Sequence, residues 1–490
     1  MNRKLQTILT FMFIAFNGVI AEGLNTNLQE TKTNSHNVRD ALKGIIGASN
    51  TDQEPNGVIE VVQRIDVAQS EESLKEAEDE DSETLYELGG VYLEGRGDIT
   101  RDVPKALDLL TRAAKSGNGN AMLELASIHQ RGDGIERDQS KAIEWLRKAA
   151  EGGEAMAMLA LAEAGYEAQD PNINEERRMQ WVKKGLKSLE EAAGMGDCDA
   201  MRLLGMAYQP VKVMDCEYAA GGVRWFSMQL LCTHIPEINK DEGKSAEWYR
   251  QAASGYEKRA AAGDSEAMYW LGKMYEWGLG VKEDVTKGLD WYRKAAEAGH
   301  REGMVEHGWA CHRAEDFDNA FNWFNEAAEQ GNAEAMLSLG WLYSKGQGVP
   351  KDKLEAVKWW RMAADRGHPK AMLSLGAAYA NGEGVDQDYR QAVTWYKKGA
   401  DGGDATCMFG LGLMYSTGRG IASDPNEAIE WWTRGAEKQH TGCMANLGWI
   451  YLYGKGVTQD QDKAKLWLRK AADLGNEYAE TRLKEIGEIR

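Results

Sequence analysis

Cysteine is scarce in this chain, six in 490 residues, which excludes a disulfide framework as the source of its stability. Cations are short as well: 58 Lys and Arg stand against 77 Asp and Glu, a formal net charge of −19. Phosphate backbones are held by clustered Lys and Arg, so this balance excludes nucleic acid as a partner and disfavours anionic membrane surfaces. After residue 21 no run is long and apolar enough for an integral membrane span. Catalytic signatures are missing too, with no Ser-x-x-Lys, Gly-x-Ser-x-Gly, P-loop, His-Glu-x-x-His or paired Cys-x-x-Cys. Asp and Glu are plentiful but scattered over solvated helix faces, so no pair stands out as acid and base. These residues call for no catalytic group, no cofactor and no metal.

What is present is repetition. Met336, Met372, Met408 and Met444 stand 36 residues apart. Around each lies one pattern, cleanest from Ala371 to Gly403: Ala371-Met372, Leu375-Gly376, Tyr379, Gly382-x-Gly384-Val385, Ala392, Trp395-Tyr396 and Lys398. Met372, Leu375 and Tyr379 fall on one helical stripe. The Gly-x-Gly pair supplies the positive φ that ends that helix and reverses the chain. Ala392, Trp395, Tyr396 and Ala400 then give a second helix its buried face, with the Trp filling the space between repeats. A short helix pair cannot bury its apolar face alone, so units of this period stack into a solenoid. Equivalents of Met372 at Leu85, Met122, Met158, Met201, Met268, Met304, Met336, Met408 and Met444 predict ten repeats over 83–490, closed by a charged cap at 477–490.

Before the array, residues 1–21 read as a signal peptide: a basic Asn2-Arg3-Lys4 start, an apolar run from Ile8 to Ile20, and Val19-Ile20-Ala21 at the cleavage position. The expectation is an exported protein, periplasmic or secreted. Residues 22–82, polar and then acidic, are expected to be largely disordered.

These motifs resemble the Sel-1-like repeat, a relative of the tetratricopeptide repeat, over about residues 84–490. The resemblance implies an all-α, right-handed α/α superhelix whose first helices line a concave groove. It implies an adaptor that binds a protein or peptide there. Two other readings stay open beside it: carbohydrate binding in envelope or exopolysaccharide assembly, and hydrolysis of cell-wall or β-lactam substrates, for which cysteine-rich members acting on β-lactams are the precedent. Those enzymes have a regular Cys pair in each repeat, which this chain lacks.

Three departures from the repeat locate candidate sites. The span 158–267 is irregular: two second helices are each seven residues over length, and an apolar insertion fills 209–241. There Cys216 and Cys232 are candidates for a disulfide, while Trp225 and Phe226 either contact a partner or plug the fold. Cys407 and Cys443 share a register but sit on neighbouring helices, too far apart to bridge. Second, Trp309, Trp341 and Trp449 stand five residues after their anchors, about 160° from the core stripe, and Trp270 and Trp277 lie on nearly the same face. They form either an aromatic ladder for a partner or packing between first helices. Third, His307 and Cys311 replace core residues of a shortened sixth repeat; their spacing suits two metal ligands, but no third is in sequence, which favours a buried pair.

Overall fold

The computed structural model describes residues 81–95, 99–132, 134–167, 175–209, 238 and 240–488. The expected signal peptide, nearly all of 22–82, and Cys216, Trp225, Phe226 and Cys232 lie outside the described residues.

Among the described residues the chain is all-helical, with ten antiparallel pairs and a closing helix. The first helices of the pairs are α1 (Ser82–Glu94), α3 (Gly119–Arg131), α5 (Ala155–Glu167), α7 (Cys198–Tyr208), α9 (Ser265–Trp277), α11 (Arg301–Arg313), α13 (Ala333–Lys345), α15 (Pro369–Asn381), α17 (Ala405–Thr417) and α19 (Thr441–Tyr453). The second helices are α2 (Val103–Lys115), α4 (Gln139–Glu151), α6 (Glu175–Gly194), α8 (Glu242–Ala261), α10 (Val285–Glu297), α12 (Phe317–Glu329), α14 (Lys353–Asp365), α16 (Tyr389–Asp401), α18 (Pro425–Glu437) and α20 (Gln461–Asp473), and α21 (Glu477–Glu485) closes the stack. The expected over-length is real: α6 and α8 have 20 residues where α16 has 13, about two extra turns each.

Much of the acidic excess serves the helix ends. An Asp stands before nine of the second helices, and each side chain accepts a backbone N–H of the first turn, as Asp388 does from Arg390 and Gln391. Such a cap contributes about 1 kcal/mol. At the turn, Gly382 at φ +70° and Gly384 at φ +75° reverse the chain. Gly384 does more, since a Cβ there would land on the Lys353 carbonyl that opens the preceding second helix. In the sixth repeat, which lacks the Gly pair, Glu315 takes the left-handed conformation instead, at φ 59°.

The core corrects one reading of the motif. Trp395 and Trp431 are buried, but Trp145, Trp181, Trp248, Trp291, Trp323, Trp359 and Trp467 at the same register are half-exposed. The space is filled by the following residue, as with Tyr292 and Trp432, each 1% exposed. That side chain seats on the Leu-Gly glycine of its own repeat: Tyr292 on Gly272, Phe324 on Gly308, Trp360 on Gly340, Tyr396 on Gly376 and Trp432 on Gly412. The displaced Trp row is covered by a cation three residues on, with Lys148 4.3 Å over Trp145, Lys294 4.3 Å over Trp291 and Lys470 4.5 Å over Trp467.

Cys407 and Cys443 are free thiols. Each packs on a glycine of the preceding second helix, Cys407 on Gly399 and Cys443 on Gly435. In the neighbouring repeat both corresponding positions, Ala363 and Ala371, are fully buried alanines.

Candidate functional site

Beyond chain neighbours, the tightest approaches between repeats join first helices, α15 to α17 and α17 to α19. Helices that crowd while their partners fan out lie on the inside of the curve, so in repeats eight to ten the first helices line the concave side. With Met372 as origin, residues at −2, +1, +2 and +5 share one helix face. Their side chains meet across successive first helices, and they form two unlike regions.

In repeats four to six that face is ionic. The Arg202 guanidinium lies 3.8 Å over the Trp270 ring and donates through Nε to Tyr256 Oη at 3.1 Å. Tyr256 donates to Asp199 at 2.7 Å. Arg259 bridges Asp199 at 3.2 Å and Asp264 at 2.7 Å. Tyr256 and Arg259 stand on the over-length end of α8, so the two extra turns bring these groups to the junction. Burial opposes the Asp199 charge, but Arg202, Tyr256 and Arg259 outweigh it and hold that carboxyl below its ordinary range.

One repeat on, Lys273 pairs with Glu306 of α11 and lies 4.0 Å from Glu276, which accepts from Tyr292 Oη at 2.6 Å. Burial works against the Lys273 ammonium, and Tyr269, Glu306 and Glu276 more than compensate, raising its pKa. Glu266 accepts from Trp270 Nε1 at 2.6 Å and lies 2.8 Å from His300 Nε2. Since His300 Nδ1 accepts the Gly303 N–H at 3.0 Å, Nε2 carries the proton and donates. His368 repeats the link to Glu334 at 2.8 Å.

Trp270 is therefore not a surface anchor: it is 4% exposed, held between Arg202 and Glu266. Trp277, at the end of the same helix, is 39% exposed.

From the sixth repeat on, the +5 row of that face turns apolar, while Glu306, Glu334 and Lys370 keep charges beside it in repeats six to eight. The +5 position runs Trp309, Trp341, Ala377, Leu413, Trp449. Trp309 is half-buried against Phe324 at 5.2 Å and Trp341 at 6.1 Å between ring centroids. It packs between first helices while Trp341 stays 37% exposed. Leu413 is 38% exposed. Trp449 is half-buried beside Tyr453, 5.8 Å away and 47% exposed. Helices α17 and α19 contain no charged residue at all.

The remaining reactive groups are held quiet. Cys311 Sγ lies 3.9 Å from His307 Nε2, a half-buried pair; burial raises the thiol and lowers the imidazole pKa. Burial pushes Cys443 up to about 12 and raises Cys407 as well, which keeps both protonated and poor nucleophiles at neutral pH. Among the described residues no group of three or more His, Cys, Asp or Glu is placed to hold a metal ion. An open depression of about 440 Å³ lies between α7 and α8, lined by Cys198, Met201, Gln251, Ser254, Lys258 and Arg259.

The sequence reading missed Asp199, Arg202, Tyr256, Arg259, Glu266, Lys273, His300 and Glu306. A signal was present: Arg202 and Lys273 put cations at +1 and +5, where α13, α17 and α19 carry apolar residues.

No curated protein matches the chain. Among solved structures it resembles a Sel1 repeat protein from Oxalobacter formigenes, 35% identical over 46% of this chain and 94% of that one, with a TM-score of 0.44. It also resembles c5321, a protective antigen of uropathogenic Escherichia coli displaying an SLR fold, 24% identical over 88% of this chain and 90% of that one, TM-score 0.45. A third is Helicobacter pylori cysteine rich protein B, 25% identical over 26% of this chain and 94% of that one, TM-score 0.22. The Sel1 repeat profile matches residues 82–118, 119–154, 235–255, 265–300, 304–332, 333–368, 369–404, 405–440 and 442–476. The stretch 155–234 between its matches holds the long helix α6 and most of the insertion. With more than half of its residues inside that profile, this chain belongs to the Sel1 repeat family.

Proposed function

We propose that this protein is a non-catalytic scaffold that holds a segment of a partner protein along the apolar stripe of repeats six to ten. Sel1 repeat proteins typically serve as protein-interaction scaffolds. The observation carrying the assignment to this stripe is the composition of α17 and α19. A helix without charges belongs in a core, yet these two present Leu413 and Tyr453 to solvent. Trp341, Leu413, Trp449 and Tyr453 would anchor the partner, with Trp309 bracing Trp341 from behind.

The stripe also favours one form of ligand. Ser338 Oγ donates to the Glu334 carbonyl at 2.8 Å and Ser374 Oγ to the Lys370 carbonyl at 2.9 Å, so neither hydroxyl has a proton left for a ligand carbonyl, and Ser338 is buried. An extended peptide lying there would desolvate backbone groups without partners, at about 1–3 kcal/mol each. An amphipathic helix satisfies its own backbone and offers only side chains. On residues 1–21 the protein would act after export, in a periplasm or outside the cell.

Affinity capture from envelope and secreted fractions, with wild type beside Trp341→Ala/Leu413→Ala, tests this reading. A specific protein lost in the variant, at unchanged melting temperature, is expected. Equal capture by both forms would overturn the assignment to this stripe. Retention of glycans with no protein bound would replace it with carbohydrate binding.

A further inference from the structure

The first repeat meets repeats far along the chain. At the C-terminal end of α1 the Glu94 carboxylate pairs with Arg301, 207 residues away. The carbonyls of Glu94 and Gly95 accept from Arg366 at 2.9 and 3.4 Å. Arg101, whose Nε donates to the Leu93 carbonyl at 2.8 Å, reaches the Asp365 carbonyl through Nη1. The backbones close up as well: a Cβ on Gly331 would lie 3.3 Å from the Glu94 carbonyl oxygen. Arg301 opens the sixth repeat, Gly331 precedes the seventh and Arg366 precedes the eighth. The turn within the first repeat therefore rests on three consecutive junctions between later repeats. In a superhelix that contact joins one turn to the next.

The chemistry of the contact is ionic. Three arginines gather around a carboxylate and the last carbonyls of a helix, the end where the backbone dipole is negative. Arg301 is anchored on its own side by Glu302 at 2.9 Å and by the Gln330 carbonyl at 3.4 Å. No apolar side chain takes part in these bonds. With Arg301 and Glu94 18% and 28% exposed, salt near 1 M screens the seam in part, whereas it does not weaken the Leu, Ala and aromatic contacts between adjacent repeats.

We infer that Glu94, Gly95, Arg101, Arg301 and Arg366 form an ionic latch between successive superhelical turns, which holds the first turn closed and whose release widens the groove. The latch shares no residue with the binding stripe. Nearest-neighbour packing sets the stiffness of a repeat array and leaves it springlike; a bond between turns adds a stop to that spring.

Small-angle scattering of the full chain at 0.05 and 1 M NaCl tests the latch, with circular dichroism as a check on helix content. Arg301→Ala/Arg366→Ala is expected to lengthen the maximum dimension at low salt by about one helix diameter, roughly 10 Å, with helicity unchanged. Wild type is expected to lengthen only at high salt. Because the arginine variant removes caps as well as the latch, a matched pair of glycine variants isolates the seam. Gly331 and Gly299 both adopt φ +85°, but nothing lies within 4 Å of a Cβ on Gly299. Gly331→Leu and Gly299→Leu thus share the backbone strain, and only the first pries the turns apart. Expansion of Gly331→Leu alone supports the latch. Wild-type scattering from both Gly331→Leu and the arginine variant, or equal expansion of the two glycine variants, overturns it.

Discussion

Helices α9 and α17 are cut to one thirteen-residue template, and they meet the groove in opposite ways. At −2, +1, +2 and +5, α9 carries Glu266, Tyr269, Trp270 and Lys273, while α17 carries Thr406, Phe409, Gly410 and Leu413. In α9 every one of these positions but Tyr269 is tied to a neighbouring helix or to its own turn by a charge or a hydrogen bond, and Tyr269 stacks on His300 at 4.8 Å. In α17 the stripe is smooth and apolar, and Leu413 faces solvent. The template needs only its Ala, Leu, Gly and Tyr positions to stack. The groove positions are free to vary, and variation there decides whether a junction is sealed from inside or left open for a partner.

Breaking the seal should cost most. Lys273→Ala leaves the half-buried carboxylates of Glu306 and Glu276 without their cation, an expected loss of about 3 kcal/mol. It should appear as a lower midpoint in urea and as faster amide exchange in α9 to α11. Lys273→Met with Glu306→Gln removes both charges and should recover most of that loss; if the double variant is as unstable as the single one, the pair is not the cause.

The thiol and glycine pairs come next. Gly399→Ala pushes a methyl into Cys407, an overpacking worth about 1–3 kcal/mol. Adding Cys407→Ala recreates the Ala363 and Ala371 pair of the neighbouring repeat, so a double-mutant cycle should show coupling of about 1 kcal/mol or more. Simple additivity would mean the two sites do not touch.

Acidity should separate the regions by a smaller amount. Burial lowers the pKa of His440, which caps α19 by accepting the Cys443 N–H at 3.1 Å through Nδ1. The unfolded chain therefore takes up the proton first. Stability is fully present above the ordinary histidine value of about 6.5, and falls as the pH drops from there through the lowered folded pKa. His440→Asn keeps a capping side chain and should flatten the thermal melting curve against pH between about 7 and 5. An unaltered slope would assign the acid sensitivity to other groups.

Least of all should come from the open stripe. Trp341→Ala and Leu413→Ala, at side chains already more than a third exposed, should each change stability by about 1 kcal/mol or less while weakening partner capture. A loss comparable to that of Lys273→Ala would show that these side chains belong to the packing after all.

The solenoid was legible because it is local. Anchors 36 residues apart and glycine pairs specify helix, turn and helix within each unit, and Met372, Leu375 and Tyr379 appear on the helices expected of them. The long helices were legible as well, from seven-residue delays in the spacing after Trp181 and Trp248. The ionic cluster was not. Tyr256 and Asp199 are 57 residues apart along the chain and meet only because an over-length helix returns past its neighbour. Trp270 shows the same limit from the other side. Its helical angle pointed to the groove, and nothing local could reveal that Arg202 and Glu266 would enclose it.

By itself, then, the sequence determined the repeat, its helices, their caps and the count of ten, because those depend on hydrogen bonds and apolar periodicity within some forty residues. Only the tertiary structure decided which faces are sealed, which tryptophans remain in solvent, and that Glu94 meets Arg301 and Arg366. Those outcomes depend on how small rotations between repeats add up around the superhelix, a quantity that no single repeat encodes.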